Sequence, residues 1–449
     1  MTLFGTDGIR GKYGDYPLDS STIRKLGSAI SKSFNDARIT KILIAHDGRE
    51  SCMDICKNLV QGIFSDRKYE IIYLDLFPTP ALTYLLSQNT DTDAIGIEIT
   101  ASHNPYTDNG IKIFDKLGFK IKSDLEYQIE KKLDGEIKAT NNINSKLVSN
   151  DTVRAMYINF ISKLINMKVK QTHKLHIAVD CANGALSKII SEIKWPKNIR
   201  LTIMNNSPNG ININYKCGAV HPEYLSNIIR KSNEKNDSEY IDFGVCFDGD
   251  GDRAIIIRPS GNVLDGDDLL YLFSLSSKDN KKVVGTVMTN FGIRENLKVN
   301  GIDFLETDVG DKNVLESVID NQAYIGAESS GHIIHTNTAS IPIGDGLISL
   351  IKLIHLQFRL NKNIEEIYPN TLKIPSKLIN IESKSPDKFL SENKIIFNKV
   401  ENILGNNGRI LVRKSGTQSL VRVLIEHKSN DVLNEAEELI NSIKLCRKK

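Results

Sequence analysis

Three times along the chain a short β-branched run stops at a polar loop containing glycine, and this recurrence most narrows the folds open to it. Lys41-Ile42-Leu43-Ile44-Ala45 leads into His46-Asp47-Gly48-Arg49. Leu175-His176-Ile177-Ala178-Val179 leads into Asp180-Cys181-Ala182-Asn183-Gly184, and Val283-Val284-Gly285-Thr286-Val287 into Met288-Thr289-Asn290-Phe291-Gly292. Such runs read as buried strands, and the stretches between them carry helical spacing. Ile23, Leu26, Ile30 and Phe34, for example, would form one face of a helix. The pattern predicts three related α/β domains. Polar stretches at 139–151 and at Pro259-Ser260-Gly261-Asn262 mark junctions between them. A smaller α+β unit follows Pro369 and Pro375, ending in a helix with Leu433, Ala436, Ile440 and Ile443 on one face and Asn430 or Asp431 as its cap. The expected divisions are 1–150, 151–257, 258–365 and 366–449.

At 449 residues with 40% apolar, each unit can bury a core, which excludes disorder and collagen-like repeats. Fifty-eight Lys and Arg against 55 Asp and Glu leave a net charge of +3, too little for a polyanion-binding surface, so no nucleic acid is expected. The six cysteines are scattered without a Cys-x-x-Cys pair, and Cys52 and Cys56 are spaced as stacked neighbours on a helix. Buried free thiols in a reducing compartment are expected. The start, Met1-Thr2-Leu3-Phe4-Gly5, lacks a signal peptide's basic and apolar regions. No apolar run approaches the ~20 residues of a membrane span. The expectation is a soluble cytoplasmic protein with no membrane partner.

Chemistry concentrates in loops. Asp248-Gly249-Asp250-Gly251-Asp252-Arg253 lies between apolar runs at 243–247 and 254–257, hence at a strand-loop-strand junction. Carboxylates at alternate positions, with glycine between, can converge on one hard cation, and Mg²⁺ suits all-oxygen ligands. An EF-hand is excluded, since its Gly and Glu positions are here Arg253 and Pro259. The bland alternative is a solvated acidic turn. Thr100-Ala101-Ser102-His103-Asn104-Pro105 follows the run 94–99, with Lys112 shortly after. Alone, Ser102 would be a turn residue. Beside a Mg²⁺ loop its hydroxyl can carry a phosphoryl group, with Lys112 balancing the charge.

Gly326-Ala327-Glu328-Ser329-Ser330-Gly331-His332 offers Glu328 and Ser330 for adjacent sugar hydroxyls and His332 as a general base; otherwise it is a polar turn. Arg413-Lys414-Ser415-Gly416-Thr417, followed by Arg422, can cradle a phosphate but lacks the Walker spacing. Phe4-Gly5-Thr6-Asp7-Gly8-Ile9-Arg10-Gly11 adds a glycine-rich loop ending in an arginine that can hold phosphate or support proton transfer; otherwise it is a β-turn with a solvated arginine.

Together, and in this order, these loops resemble those of the α-D-phosphohexomutase superfamily, over residues 4–426. The phosphoserine loop is similar to 100–105, and the metal loop matches 248–252 residue for residue. The sugar loop G-x-E-x-S-G-H is similar to 326–332, and the phosphate loop R-x-S-G-T matches 413–417. Residues 4–11, 208–214 and 217–223 look like the bacterial branch acting on glucosamine phosphate. Departures are Gln418-Ser419 where Glu-Pro usually follows, Ser329 where that branch has Asn, and Lys312 where Arg is common.

The resemblance implies four domains around a central cleft, three α/β with mixed sheets and a smaller α+β one, each donating a loop. It implies an isomerase interconverting glucosamine 6-phosphate and glucosamine 1-phosphate, on the route to UDP-N-acetylglucosamine and peptidoglycan. One Mg²⁺ per chain would sit on Asp248, Asp250, Asp252 and phosphorylated Ser102. A hexose 1,6-bisphosphate would be intermediate and activator. Arg10, Lys112 and His332 would handle protons; Glu328, Ser330, His103, Asn104 and Arg253 would hold the sugar. Arg413, Ser415, Gly416, Thr417 and Arg422 would hold the distal phosphate. Monomer and homodimer are both open. The rivals are a mannose or glucose mutase of the same fold, a sugar-phosphate-binding protein without catalysis, and a metal phosphatase.

Overall fold

The computed structural model describes residues 3–5, 7–34, 39–65, 69–88, 94–133, 137, 147–166, 174–235, 239–276, 281–369, 372–414 and 419–445. Its strands form three five-stranded sheets and one three-stranded sheet. The first comprises β1 (Ile9–Lys12), β2 (Lys41–His46), β3 (Glu70–Leu76), β4 (Ala94–Ile99) and β5 (Asp108–Phe114), ordered β1-β5-β4-β2-β3. Strand β2 runs parallel to β3 and β4, whereas β5 is antiparallel to β4 and to β1. Helices α1 (Ser20–Ser33), α2 (Cys52–Phe64), α3 (Thr79–Gln88) and α4 (Ser123–Glu130) complete this unit.

The second unit contains α5 (Asp151–Asn166), β6 (Leu175–Asp180), α6 (Leu186–Glu192), β7 (Ile199–Met204), α7 (Pro222–Asn233), β8 (Phe243–Phe247), β9 (Ala254–Ile257) and β10 (Val263–Leu264). The third contains α8 (Gly266–Ser274), β11 (Lys282–Thr286), α9 (Phe291–Val299), β12 (Asp303–Thr307), α10 (Asp311–Asp320), β13 (Ile325–Ala327), β14 (Ile333–His335), β15 (Ile343–Gly344) and α11 (Gly346–Leu360). Both repeat one plan: a central strand, β6 or β11, lies parallel to two neighbours, and the third strand turns back antiparallel, β8 to β9 and β13 to β14. After α12 (Ile364–Ile367), the last unit packs β16 (Ser376–Glu382), β17 (Gly408–Lys414) and β18 (Leu420–His427) antiparallel with α13 (Pro386–Glu392), α14 (Lys394–Leu404) and α15 (Asn430–Leu445). Three related α/β units and a smaller α+β one are therefore present, as the sequence pattern implied.

The apolar faces land where the spacing put them. Ile23, Leu26 and Ile30 of α1 are fully buried, as are Leu433, Ala436 and Ile440 of α15. The central strands are buried along nearly their whole length because helices cover both faces. Cys52, Cys56, Cys181, Cys217 and Cys246 are buried free thiols, and Cys446 lies outside the described residues. Two expectations need correction. Helix α15 starts at Asn430, so Asn430 and Asp431 lie in its first turn, not at the cap. Arg10 is no loop residue: it sits on β1, opposite Gly110 of β5, because Ile9 is drawn into the core beside Ile111.

Helices α1 and α2 meet through glycine. A Cβ on Gly62 would lie 1.9 Å from the Arg24 carbonyl oxygen, and one on Gly27 would lie 2.2 Å from that of Leu59. Backbone cannot yield as a side-chain tip can, so Gly62→Ala must part the helices. It is expected to cost about 1–3 kcal/mol of stability, read as a lower thermal unfolding midpoint.

Candidate active site

Three of the loops of interest share one topological position. Residues 100–107 join β4 to β5, 248–253 join β8 to β9, and 328–332 join β13 to β14. In each unit this is where the chain leaves the third parallel strand and turns back. The fourth loop falls between the antiparallel strands β17 and β18, and its Ser415, Gly416, Thr417 and Gln418 lie outside the described residues. Arg413 and Arg422, which flank that turn, are direct cross-strand partners. Burial and the neighbouring Arg422 charge lower the Arg413 pKa. The Nε atoms of both arginines are buried without a hydrogen-bond partner among the described residues. Two like charges facing each other across a ladder are unfavourable until an anion lies between them.

Asp248, Asp250 and Asp252 converge, with one oxygen from each within 4.8 Å of the others. The loop is held from three sides by consecutive carbonyls. Gly249 O accepts from Ala185 N at 2.8 Å, Asp250 O from Thr79 N at 3.0 Å, and Gly251 O from Gly346 N at 3.1 Å. Those donors stand at the N-terminal ends of α6, α3 and α11, one from each of the first three units. Helix N-termini carry partial positive charge, which favours an acidic loop there.

Cations surround the carboxylates. Lys112 Nζ is 2.8 Å from Asp250 Oδ2 and 3.6 Å from Asp252 Oδ2 and Asp7 Oδ2. Arg253 Nε lies 3.8 Å from Asp248, and His332 Nδ1 lies 3.7 Å from Asp252, an ion pair too long for a hydrogen bond. Burial alone would raise all three carboxyls. Lys112, His332 and Arg253 nevertheless hold Asp252 far below the usual range, and Lys112 with the Thr79 hydroxyl holds Asp250 below it. Asp248 goes the other way, pushed well up by burial and by repulsion from Asp252 and Asp250. Burial would lower the Lys112 pKa, but Asp250, Asp7 and Asp252 raise it. The same contest at His332, burial against Asp252, carries it up to about 9. Both groups are protonated at neutral pH in the metal-free site, which makes His332 a charge beside Asp252 and no ready base.

The residues fit a divalent cation. Asp250 Oδ1 and Asp252 Oδ1 are buried without a hydrogen-bond partner among the described residues, and the donor set is oxygen only.

Ser102 adjoins this cluster. Its Oγ donates to Asp248 Oδ2 at 2.7 Å and lies 3.3 Å from His103 Nδ1. Burial and the Arg253 and Arg10 charges lower His103 to a pKa of about 4, so it stands neutral. The Ser102 backbone has a φ of 50°, the left-handed region that non-glycine residues avoid. Two donors hold that turn. Arg49 Nη2 donates to Ser102 O at 2.9 Å and Asn104 O at 3.0 Å, and Asn214 Nδ2 reaches the same two carbonyls at 2.8 and 3.2 Å. Arg49 is fixed by Asp47, which also accepts from Thr100 Oγ1 at 2.6 Å. The guanidinium of Arg10 pairs with Asp7, as does Lys120, which reaches on to Asp311 of the third unit.

In the third loop, Glu328 Oε1 accepts from Gly310 N at 2.9 Å, while Ser330 Oγ is buried without a partner among the described residues. Arg253 and His332 form a β-bridge, which ties this loop to the metal loop. Ser102, His103, Asn104, Lys112, Asp248, Asp250, Asp252, Arg253 and His332 are thus linked into one network. Asp7, Asp47, Arg49, Thr79, Lys120, Asn214 and Asp311 belong to it too, and the sequence reading gave none of them a role. Asp7 and Arg49 stood in glycine-containing loops already noted. Asp47 shares the loop of Arg49, and Asn214 ends the 208–214 segment noted for its resemblance; Thr79, Lys120 and Asp311 carry no motif.

All four domain descriptions of one family match the chain in order. The alpha/beta/alpha domains I, II and III of phosphoglucomutase/phosphomannomutase match residues 1–140, 155–261 and 265–373, and the C-terminal domain matches 378–442. The chain belongs to the phosphoglucomutase/phosphomannomutase family. A phosphoglucosamine mutase of Pseudoalteromonas translucida is 35% identical, covering 98% of this chain and 97% of that one. A phosphoglucomutase/phosphomannomutase family protein of Burkholderia thailandensis has the same fold, with a TM-score of 0.79 at 22% identity over 98% of this chain and 96% of that one. The N-acetylphosphoglucosamine mutase of Aspergillus fumigatus, solved with GlcNAc-6P and magnesium, aligns with a TM-score of 0.61 at 17% identity over 98% and 94%. Family membership accords with the phosphohexomutase resemblance of the four loops.

The His332 shift has a stability consequence with a definite sign. A pKa of 6.5 in the unfolded chain and about 9 in the fold means the Asp252–His332 pair stabilises fully below pH 6.5 and fades as pH rises through 9. In chelator, urea-unfolding stability is expected to fall over that window, and His332→Gln is expected to lack this part of the slope.

Proposed function

We propose that the chain is a phosphoglucosamine mutase, interconverting glucosamine 6-phosphate and glucosamine 1-phosphate through phosphorylated Ser102 and a 1,6-bisphosphate. The observation that carries the reading is the Ser102 hydroxyl on Asp248, 2.7 Å away at the edge of a three-carboxylate cluster. A full-length relative at 35% identity supports the choice of sugar.

Mg²⁺ held by Asp248, Asp250 and Asp252 would offset negative charge at the phosphoryl group. The side chains account for the rest. Arg49 and Asn214 hold the strained turn so that Ser102 Oγ faces the cleft. Lys112 and Arg253 bring fixed positive charge to a transferring group whose transition state is loose and anionic, where positioning and charge matter more than a strong base. Arg10 on β1 adds to this charge. His332 steadies Asp252. His103, neutral, and Asn104 border the acceptor hydroxyl, and Glu328 and Ser330 hold ring hydroxyls in either orientation of the sugar.

Arg413 and Arg422, with Ser415, Gly416 and Thr417, would grip whichever phosphate is not reacting. Each of the four domains, divided as the sequence divides them, supplies one loop to a common cleft. The doubly phosphorylated sugar would turn over within that cleft and return its other phosphoryl group to Ser102.

Intact-mass measurement before and after phosphatase treatment is expected to show one removable phosphate, absent in Ser102→Ala. That variant should lose turnover by at least about a thousandfold, as nucleophile deletions do. Steady-state comparison in Mg²⁺ with a bisphosphate activator should favour glucosamine 6-phosphate over mannose and glucose 6-phosphates. Preference for a neutral sugar would overturn the substrate, and release of free phosphate would overturn the mutase reading itself.

A further inference from the structure

A cavity of about 820 Å³ lies away from the carboxylate cluster, walled by α5, α8 and α11. Its size falls in the range of small-molecule sites. Phe160 of α5, Phe273 of α8, Phe358 of α11 and Tyr324 supply aromatic surface. Lys163, Lys352 and Arg359 also line it, together with His355, and no described lining residue is acidic.

Lys352, His355 and Arg359 follow one another at helical spacing along one face of α11, and His355 Nε2 lies 3.3 Å from Ile165 O. Arg359 Nη2 donates to Ser276 Oγ at 2.9 Å, and Lys352 Nζ stands 5.9 Å from the Tyr324 ring centroid. Both heads are therefore turned over the cavity's polar and aromatic lining. Asn337, Thr338 and Ser276 add neutral hydrogen-bonding groups. Aromatic walls suit a flat ring, neutral polar groups suit its edge, and three cations suit phosphate.

We propose that this cavity is a binding site for a nucleoside phosphate, separate from the catalytic cleft. Helix α11 connects the two places: its first residue, Gly346, donates to Gly251 O of the metal loop, and its C-terminal half lines the cavity. From Gly346 to Arg359 is about 20 Å along a helix at 1.5 Å per residue, too far for one sugar phosphate to touch both.

Calorimetric titration of the full chain with UDP and with ADP tests this, with uridine and pyrophosphate as the ring-only and phosphate-only controls. At least one nucleotide is expected to bind at a single site, about tenfold or more tighter than either control. Lys352→Glu with Arg359→Glu should weaken that binding by a similar factor, with the circular dichroism and sugar-phosphate turnover unchanged. Lys163→Glu, an exposed change on α5, serves if the double variant does not fold. Saturating glucose 1,6-bisphosphate should leave nucleotide binding intact, since it belongs to the other cleft. Absence of binding by both nucleotides, affinity insensitive to these charge reversals, or displacement by the bisphosphate each overturns the proposal. The nucleotide titrations and the charge-reversal variants do not depend on the mutase reading; only the bisphosphate control does.

Discussion

The arrangement depends on how three buried carboxylates are kept within 4.8 Å of one another. Like charges that close repel strongly in a dry interior. The protein answers with the first N–H of helices α3 and α11 and with Ala185 N ahead of α6, each received by one of three consecutive carbonyls, at Gly249, Asp250 and Gly251. These bonds orient the loop from three units at once. Gly184 shows how little slack is left, since a Cβ there would lie 2.2 Å from Gly249 O. The metal loop is therefore the point where the first three units interlock, and the active site and the domain interface are one feature.

Charge within the cluster is matched by Lys112, Arg253 and His332, one cation for each aspartate. A divalent cation together with a phosphoryl group of roughly −2 would then enter as a nearly balanced pair. Asp248 is the weak point of the metal-free balance, because its neighbours' repulsion leaves it prone to keep a proton. It is also the group that accepts from Ser102 Oγ. The site thus yields at the carboxylate beside the proposed nucleophile, where a metal would take the proton's place. A near-zero charge for the whole chain conceals this local separation.

The sequence carried the architecture and the chemical loops because both are written locally. Strands such as 41–46 and 175–180 are legible from apolar continuity, and the loop 248–252 from alternation of Asp with Gly. Long-range partners left no such trace. Thr79 is an ordinary helix-start residue until Asp250 arrives from the second unit, and Asn214, although inside the noted 208–214 segment, has no role until it reaches Ser102 O. Lys120 bridges Asp7 and Asp311 with no motif around it. Arg10 misled for the same reason: Gly8 and Gly11 suggested a loop, but pairing of Ile9 with Ile111 makes a strand there. Periodicity reports which face is buried, not what comes to cover it.

That limit also explains why the loops fall at equivalent places. In all three α/β units the chain passes from a parallel strand to an antiparallel one, at residues 100–107, 248–253 and 328–332. A parallel connection would need a helix to cross the sheet, whereas an antiparallel return needs only a short turn at the strand's end. The return therefore leaves side chains of both strands and the turn beside one another at one end of the strands. Ser102 and Lys112 illustrate this: Lys112 lies on β5 opposite Glu98 of β4, four residues before Ser102 in sequence. Three such strand ends joined through one interlocking loop place a hydroxyl, a carboxylate cluster and a hydroxyl-and-imidazole loop together. Repetition of a single topology, with different residues at its turn, is sufficient to build the site.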